Sequence, residues 1–192
     1  MEEEFQRGDG DPDNNIRRLE LIGERMKNLD QTFESLYNSS LLLDKNIDSF
    51  LERRESVKEE FNRLQLIWVT FGSFERLNKS WGMTPFKKID TKNMSENISK
   101  YQAFLSQEQS NDHPLVSLLS SKIQTQTQLF PIVESLANKS LRLSHWDEII
   151  KLLDTQEILS EPDDLTINEL IPLNILQIQS KVRLISQRAT EE

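Results

Sequence analysis

No cysteine occurs among the 192 residues. Disulfide frameworks and thiolate metal sites are therefore excluded, and a reducing intracellular compartment is the simplest expected setting. Glycine (5) and proline (6) are scarce, so the chain lacks the turn residues of an all-β protein and the glycines of a phosphate cradle. The only histidines are His113 and His145, and neither sits in an established metal spacing with a second His or an acidic residue. Long apolar runs are missing too: stretches such as Leu41-Leu42-Leu43 are far too short to span a bilayer. The start, Met1-Glu2-Glu3-Glu4, has neither the basic nor the apolar region of a signal peptide. Basic residues are outnumbered, 23 Lys and Arg against 32 Asp and Glu. A formal charge of −9 disfavours nucleic acid, because the clusters Arg53-Arg54 and Lys87-Lys88 with Lys92 form no concentrated basic face. The expectation is a chain with no metal, no cofactor, no nucleic acid and no membrane among its partners.

What is present is helix-forming. Leu, Glu, Lys, Gln and Arg dominate, and hydrophobic residues at 36% can build a thin core but not a rich one. Residues 1–15, with two glycines, one proline and Asp9, Asp11 and Asp13, read as a disordered leader. Leu19, Ile22, Met26, Leu29, Phe33 and Leu36 then step by three and four, an a/d seam of period 3.5. The register continues through Ser40, Leu43, Ile47, Phe50, Arg54, Val57, Phe61, Leu64, Trp68 and Phe71, broken only by Ser40 and Arg54. Unbroken over 16–80, such a helix would be roughly 100 Å long and could not bury its seam within this chain. Asn38-Ser39-Ser40 favours a break, so a helical hairpin is the alternative.

The remaining residues, 81–192, predict a helical bundle. Gly82 is expected to close the long helix as a left-handed cap, and Pro85 forbids its continuation. Asp90 or Thr91 can cap a second helix striped by Met94, Ile98, Tyr101 and Leu105. Pro114, after Asp112 or His113, opens a third helix, which Pro131 is expected to bend or split near Phe130. Ser144 can cap a helix through Trp146 with Asp147 and Glu148 in its first turn. Thr166-Ile167-Asn168-Glu169 reads as a capping box. Ile178, Val182, Ile185 and Ala189 mark a terminal helix whose stripe is left uncovered. The fold class expected is all-α: an elongated helical bundle led by a long amphipathic, coiled-coil-like helix.

Catalytic motifs are missing. There is no G-x-x-x-x-G-K-[ST], no G-x-G-x-x-G and no G-x-S-x-G. Carboxylate pairs such as Glu59-Glu60 and Asp163-Asp164 are what 32 acidic residues produce on solvated faces. No catalytic residue is assigned. His145-Trp146 is the most unusual pair; it is either a packed indole beside an imidazole that bonds a helix end, or a mechanical contact point.

From Leu64 to about Ala189 the landmarks fall in the order of a known family. Trp68, Phe71, Phe74 and Leu77 form an aromatic helix. Trp81 and the loop Thr84-Pro85-Phe86 with Ile89-Asp90 follow, then Pro131, Leu136, Asn138 and Leu141-Arg142, then His145-Trp146. Last come Leu165-Thr166, Leu170 and Leu173-Asn174. This region resembles the N-terminal region 2 of dynein heavy chains, the tail-to-linker segment. One departure stands out: Ser144 occupies the place where the family has Arg before His-Trp, so a salt bridge from that position is lost.

The resemblance implies a non-catalytic mechanical segment of a microtubule motor, without the AAA+ modules that would hydrolyse ATP in the parent protein. It implies as partners the AAA+ ring together with dynein light or intermediate chains, or a second heavy chain. It places the chain in the cytoplasm on the cytoskeleton, with a lean toward the ciliary or flagellar axoneme. Trp68, Trp81, Pro85, Phe86, His145 and Trp146 are the candidate structural contacts. The competing reading is a coiled-coil scaffold or adaptor unrelated to dynein, whose first 80 residues pair with another chain.

Overall fold

A computed structural model describes residues 5, 7–8, 10–40, 48–108, 112–153, 161–173 and 175–192, with the backbone alone at 38–40 and 48–49. Seven α-helices are present among these residues: α1 (Pro12–Ser40), α2 (Asp48–Met83), α3 (Thr91–Gln107), α4 (Pro114–Leu136), α5 (Leu143–Leu153), α6 (Ile167–Leu170) and α7 (Gln179–Glu191). The described residues contain no strand, so the all-α reading holds. The side chains of Ser40, Leu43 and Ile47 from the seam, and Asn174 from the last family landmark, lie outside the described residues. Two compact units divide the chain: Met1–Ser73 with Asp112–Val116, and Phe74–Asn111 with Ser117–Glu192.

In the first unit α1 and the start of α2 are separate helices packed antiparallel. Phe33 meets Phe50 with ring centroids 5.2 Å apart, Arg54 bonds Asp30 at 2.7 Å, and a Cβ on Gly23 would touch Phe61 at 3.4 Å. Of the two forms left open by the sequence, the hairpin is the one found. Arg54, an interruption in the seam, has its own partners. Its guanidinium lies 4.8 Å from the Phe33 ring centroid and also reaches Glu34 at 3.2 Å. That hydrogen-bonded guanidinium, with help from Lys58, holds the Asp30 carboxyl below the usual carboxylate range.

The expected disordered leader fails at Phe5 and at residues 10–15. Phe5 is fully buried, edge-on to Trp68 at 6.4 Å. Its carbonyl accepts the Trp68 indole N–H at 3.4 Å and faces His113 Nε2 at 2.9 Å. Because His113 Nδ1 accepts the Leu115 amide at 3.2 Å, the imidazole proton sits on Nε2 and is donated to Phe5. Gly8, at φ 72°, lies so close to Leu115 that a Cβ would come within 3.0 Å of Cγ. The α1 helix then starts at Pro12, since Asp11 accepts the Asn14 amide at 2.9 Å and proline loses nothing at a first helical position.

The second unit is built from the end of α2 and from α3 to α7. Asp90 caps α3 by accepting the Asn93 amide at 3.0 Å, and Met94, Ile98 and Tyr101 form its buried stripe. Gln126 bonds Asn78 at 2.6 Å and Lys122 pairs with Glu75 at 2.9 Å, tying α4 to α2. The α4 helix continues through Pro131 as one helix, so of the bend or split expected there the split does not occur. The stripe of α7 is also covered: Val182, Ile185 and Ala189 are buried, with α5 and the 3-10 turn Ile175–Ile178 packed against the helix.

Candidate functional site

Five of the six expected contact residues lie in the second unit, around the loop after α2. Trp81 stands edge-on to Phe74 at 6.4 Å, and Phe74 edge-on to Tyr101 at 5.1 Å, a chain of aromatic contacts from α2 to α3. Gly82 is not the left-handed cap the sequence suggested. It is the penultimate residue of the helix, and positive φ occurs only at Gly8 and Gly10 among the described glycines. What the position requires is space, because a Cβ there would lie 2.4 Å from Asn168 Oδ1. The helix ends instead as Thr84 turns back, its hydroxyl donating to Ser80 O at 2.7 Å and its amide to Trp81 O at 3.3 Å.

Pro85 and Thr166 form an isolated antiparallel β-bridge, and the Phe86 amide donates to Leu165 O at 3.1 Å. This pairing clamps the Thr84–Phe86 loop to the chain just before α6. The Glu169 carboxylate accepts both the Thr166 amide and its hydroxyl at 2.9 Å, so the expected capping box holds the other side of the bridge. Phe86 then carries the contact to α5: its ring lies 6.3 Å from that of Trp146, and both side chains are buried. Lys87 pairs with Asp163 on the rim.

The α5 helix begins one residue before Ser144, which is exposed and does not cap it. Arg142 is the cap residue: its carbonyl accepts from His145 and Trp146 at 3.0 and 3.2 Å, and its amide donates to His145 Nδ1 at 3.1 Å. His145 thus returns a bond to the helix start, as the third residue of a capping box does. Its Nε2 lies 3.3 Å from a carboxylate oxygen of Glu192. Asp147 and Glu148 follow the first turn rather than occupying it, and Glu148 pairs with Arg188. The Trp146 indole N–H is buried without a partner.

Trp68 does not join this corner; it packs in the other unit against Phe5. Two contributors escaped sequence reasoning as contact residues. Asn168 was legible only as part of the capping box, and Asn138 only as a landmark. The Asn138 amide donates to Ser186 O at 2.9 Å and to the Thr190 hydroxyl at 2.8 Å, fixing α7 to the turn after α4. Among the described residues no cluster of His, Asp and Glu could hold a metal ion, and no helix is long and apolar enough to cross a membrane.

The sequence model described as dynein heavy chain, N-terminal region 2, matches residues 54–192. The chain belongs to the dynein heavy chain family. It is 27% identical over 146 residues to human dynein axonemal heavy chain 6, covering 75% of this chain and 4% of that protein. It is 24% identical over 140 residues to mouse dynein axonemal heavy chain 2, covering 71% of this chain and 3% of that protein. The chain therefore spans only a few percent of the length of these relatives. Membership of this family sets aside the scaffold unrelated to dynein.

Proposed function

We propose that the chain is the tail-to-linker segment of an axonemal-type dynein heavy chain and serves as a non-catalytic, force-transmitting element of a ciliary microtubule motor. The ATP hydrolysis belongs to the AAA+ ring of the parent protein. Dynein light and intermediate chains, or a second heavy chain, are the partners of the assembly. The observation that carries the reading is the corner itself: the end of α2, the start of α5 and the start of α6 meet at Phe86, Trp146 and the Pro85–Thr166 bridge. Helices resist bending along their length, so a helical lever yields first at its joints. A joint closed by buried rings and a β-bridge carries load without slack.

The test is Trp146→Ala placed in the full-length parent heavy chain. Microtubule gliding should slow several-fold while basal ATP turnover stays at the unmodified level, since the substitution loosens the lever and leaves the ring untouched. Gliding at the unmodified speed would overturn the mechanical role.

A further inference from the structure

The hairpin of α1 and α2 buries only part of its seam. Phe61, Leu64 and Trp68 are inside, but farther along the hairpin Leu29 is 69% exposed, Leu36 65%, Phe50 54% and Val57 45%. With Met26 and Phe33 these residues line a groove of about 530 Å³ between the two helices. A hairpin carrying a 3.5-residue seam buries one side of each helix and leaves the flanking positions open, the surface into which a third helix packs. From Met26 to Leu36 the groove is about 15 Å long, room for roughly three turns of a docked helix.

The charges around it are not balanced. Four ionisable residues line the groove: Asp30, Arg53, Arg54 and Lys58. Asp30, the one carboxylate, is held by Arg54 at 2.7 Å, and Arg54 also reaches Glu34 at 3.2 Å. Lys58 shares Asp30 with Arg54, more loosely at 3.9 Å, and Arg53 is exposed on the rim. In a chain of net charge −9 the groove lining itself carries three cations against one carboxylate. Two copies docking groove to groove would set Arg53 and Lys58 against their counterparts, with no free carboxylate in the lining to answer them.

We infer that this groove is a docking site for an amphipathic helix of another protein, about three turns long, with apolar residues at a and d positions and acidic residues flanking them. The apolar stripe covers Leu29, Phe33 and Phe50, and the flanking carboxylates pair with Arg53 and Lys58. The inference stands on the hairpin alone and does not rest on the force-transmitting role.

The experiment uses two labelled 21-residue helical peptides, identical at their Leu a and d positions, one flanked by Glu and the other by Lys. Each is titrated with the full chain and followed by fluorescence anisotropy, with light scattering on the chain by itself. The Glu peptide should bind, and the Lys peptide should not. Arg53→Glu with Lys58→Glu should weaken the Glu peptide about tenfold and admit the Lys peptide, because complementary rim charges set specificity. Leu29→Ser, at a position exposed in the free chain, should weaken binding with the circular dichroism unchanged. Equal affinity for both peptides, binding of neither, or a dimer that Leu29→Ser dissolves would each overturn the inference, the last by showing a second copy in the groove.

Discussion

At the scale of residues, what distinguishes this chain is where its few special side chains are used. Trp81 and Trp146 are 7% and 1% exposed, so truncation of either to Ala opens a cavity as well as losing transfer energy. Each substitution should cost on the order of 3 to 5 kcal/mol, read as a fall in thermal midpoint by circular dichroism. Unchanged midpoints in both variants would remove the aromatic contacts from the account. Trp146→Phe should cost much less than Trp146→Ala, because it keeps a ring against Phe86 and eliminates an unpaired indole N–H that costs about 1–3 kcal/mol. At Gly82 two effects oppose each other. Alanine gains up to about 1 kcal/mol of helix propensity, while its Cβ must push away the Asn168 amide. Asn168 is exposed and can swing aside, so Gly82→Ala should lie within about 1 kcal/mol of the parent. Gly82→Leu, too bulky for that escape, should lower the melting temperature clearly; equal melting of Ala and Leu variants would show that the close approach constrains nothing.

At the scale of elements, helix existence was legible and helix ends were less so. The period of 3.5 carries the presence of α1 and α2, and Asp90, Pro114 and Thr166 mark their helix starts by ordinary capping chemistry. Three of the differences at helix ends have distinct causes. Asp11-Pro12 is a cap followed by a first-position proline, but among glycines and acids it reads as disorder. Gly82 fits a left-handed cap from sequence, whereas its real constraint, Asn168, lies 86 positions away in the chain. Ser144 is a good cap by residue type, yet His145 supplies the bond through Arg142, a choice that depends on ring placement. The corner was legible only as an ordered set of landmarks, since nothing in periodicity brings Phe86 to Trp146 or Pro85 to Thr166.

The hairpin makes its own prediction. Arg54 holds Asp30 below its ordinary value, so the folded hairpin takes up a proton less readily than the unfolded chain. The contribution of Asp30 is whole above about pH 4 and is lost as the pH falls through the lowered folded value. Asp30→Asn should therefore destabilise the hairpin near neutrality and converge with the parent in acid, as followed by the helix signal across a pH series. Curves that stay parallel down to strong acid would contradict the pairing.

At the scale of the whole molecule, the described residues divide into two helical units, each with its own aromatic anchors and its own bonds across the chain. The first is closed by Phe5, Trp68 and His113, and the second by Trp81, Phe86 and Trp146. A chain with 36% hydrophobic residues has little apolar surface to bury, yet α1 keeps several large side chains in water. On the proposed force-transmitting reading the corner behaves as one rigid joint. Native-state hydrogen exchange tests it most directly, through the Phe86 amide bonded to Leu165 and the Arg142 amide bonded to His145. Both should exchange as slowly as the buried amides of α4 and lose protection together in Trp146→Ala. Exchange of these two amides at the rate of an open loop, with α4 still protected, would mean that the joint opens on its own.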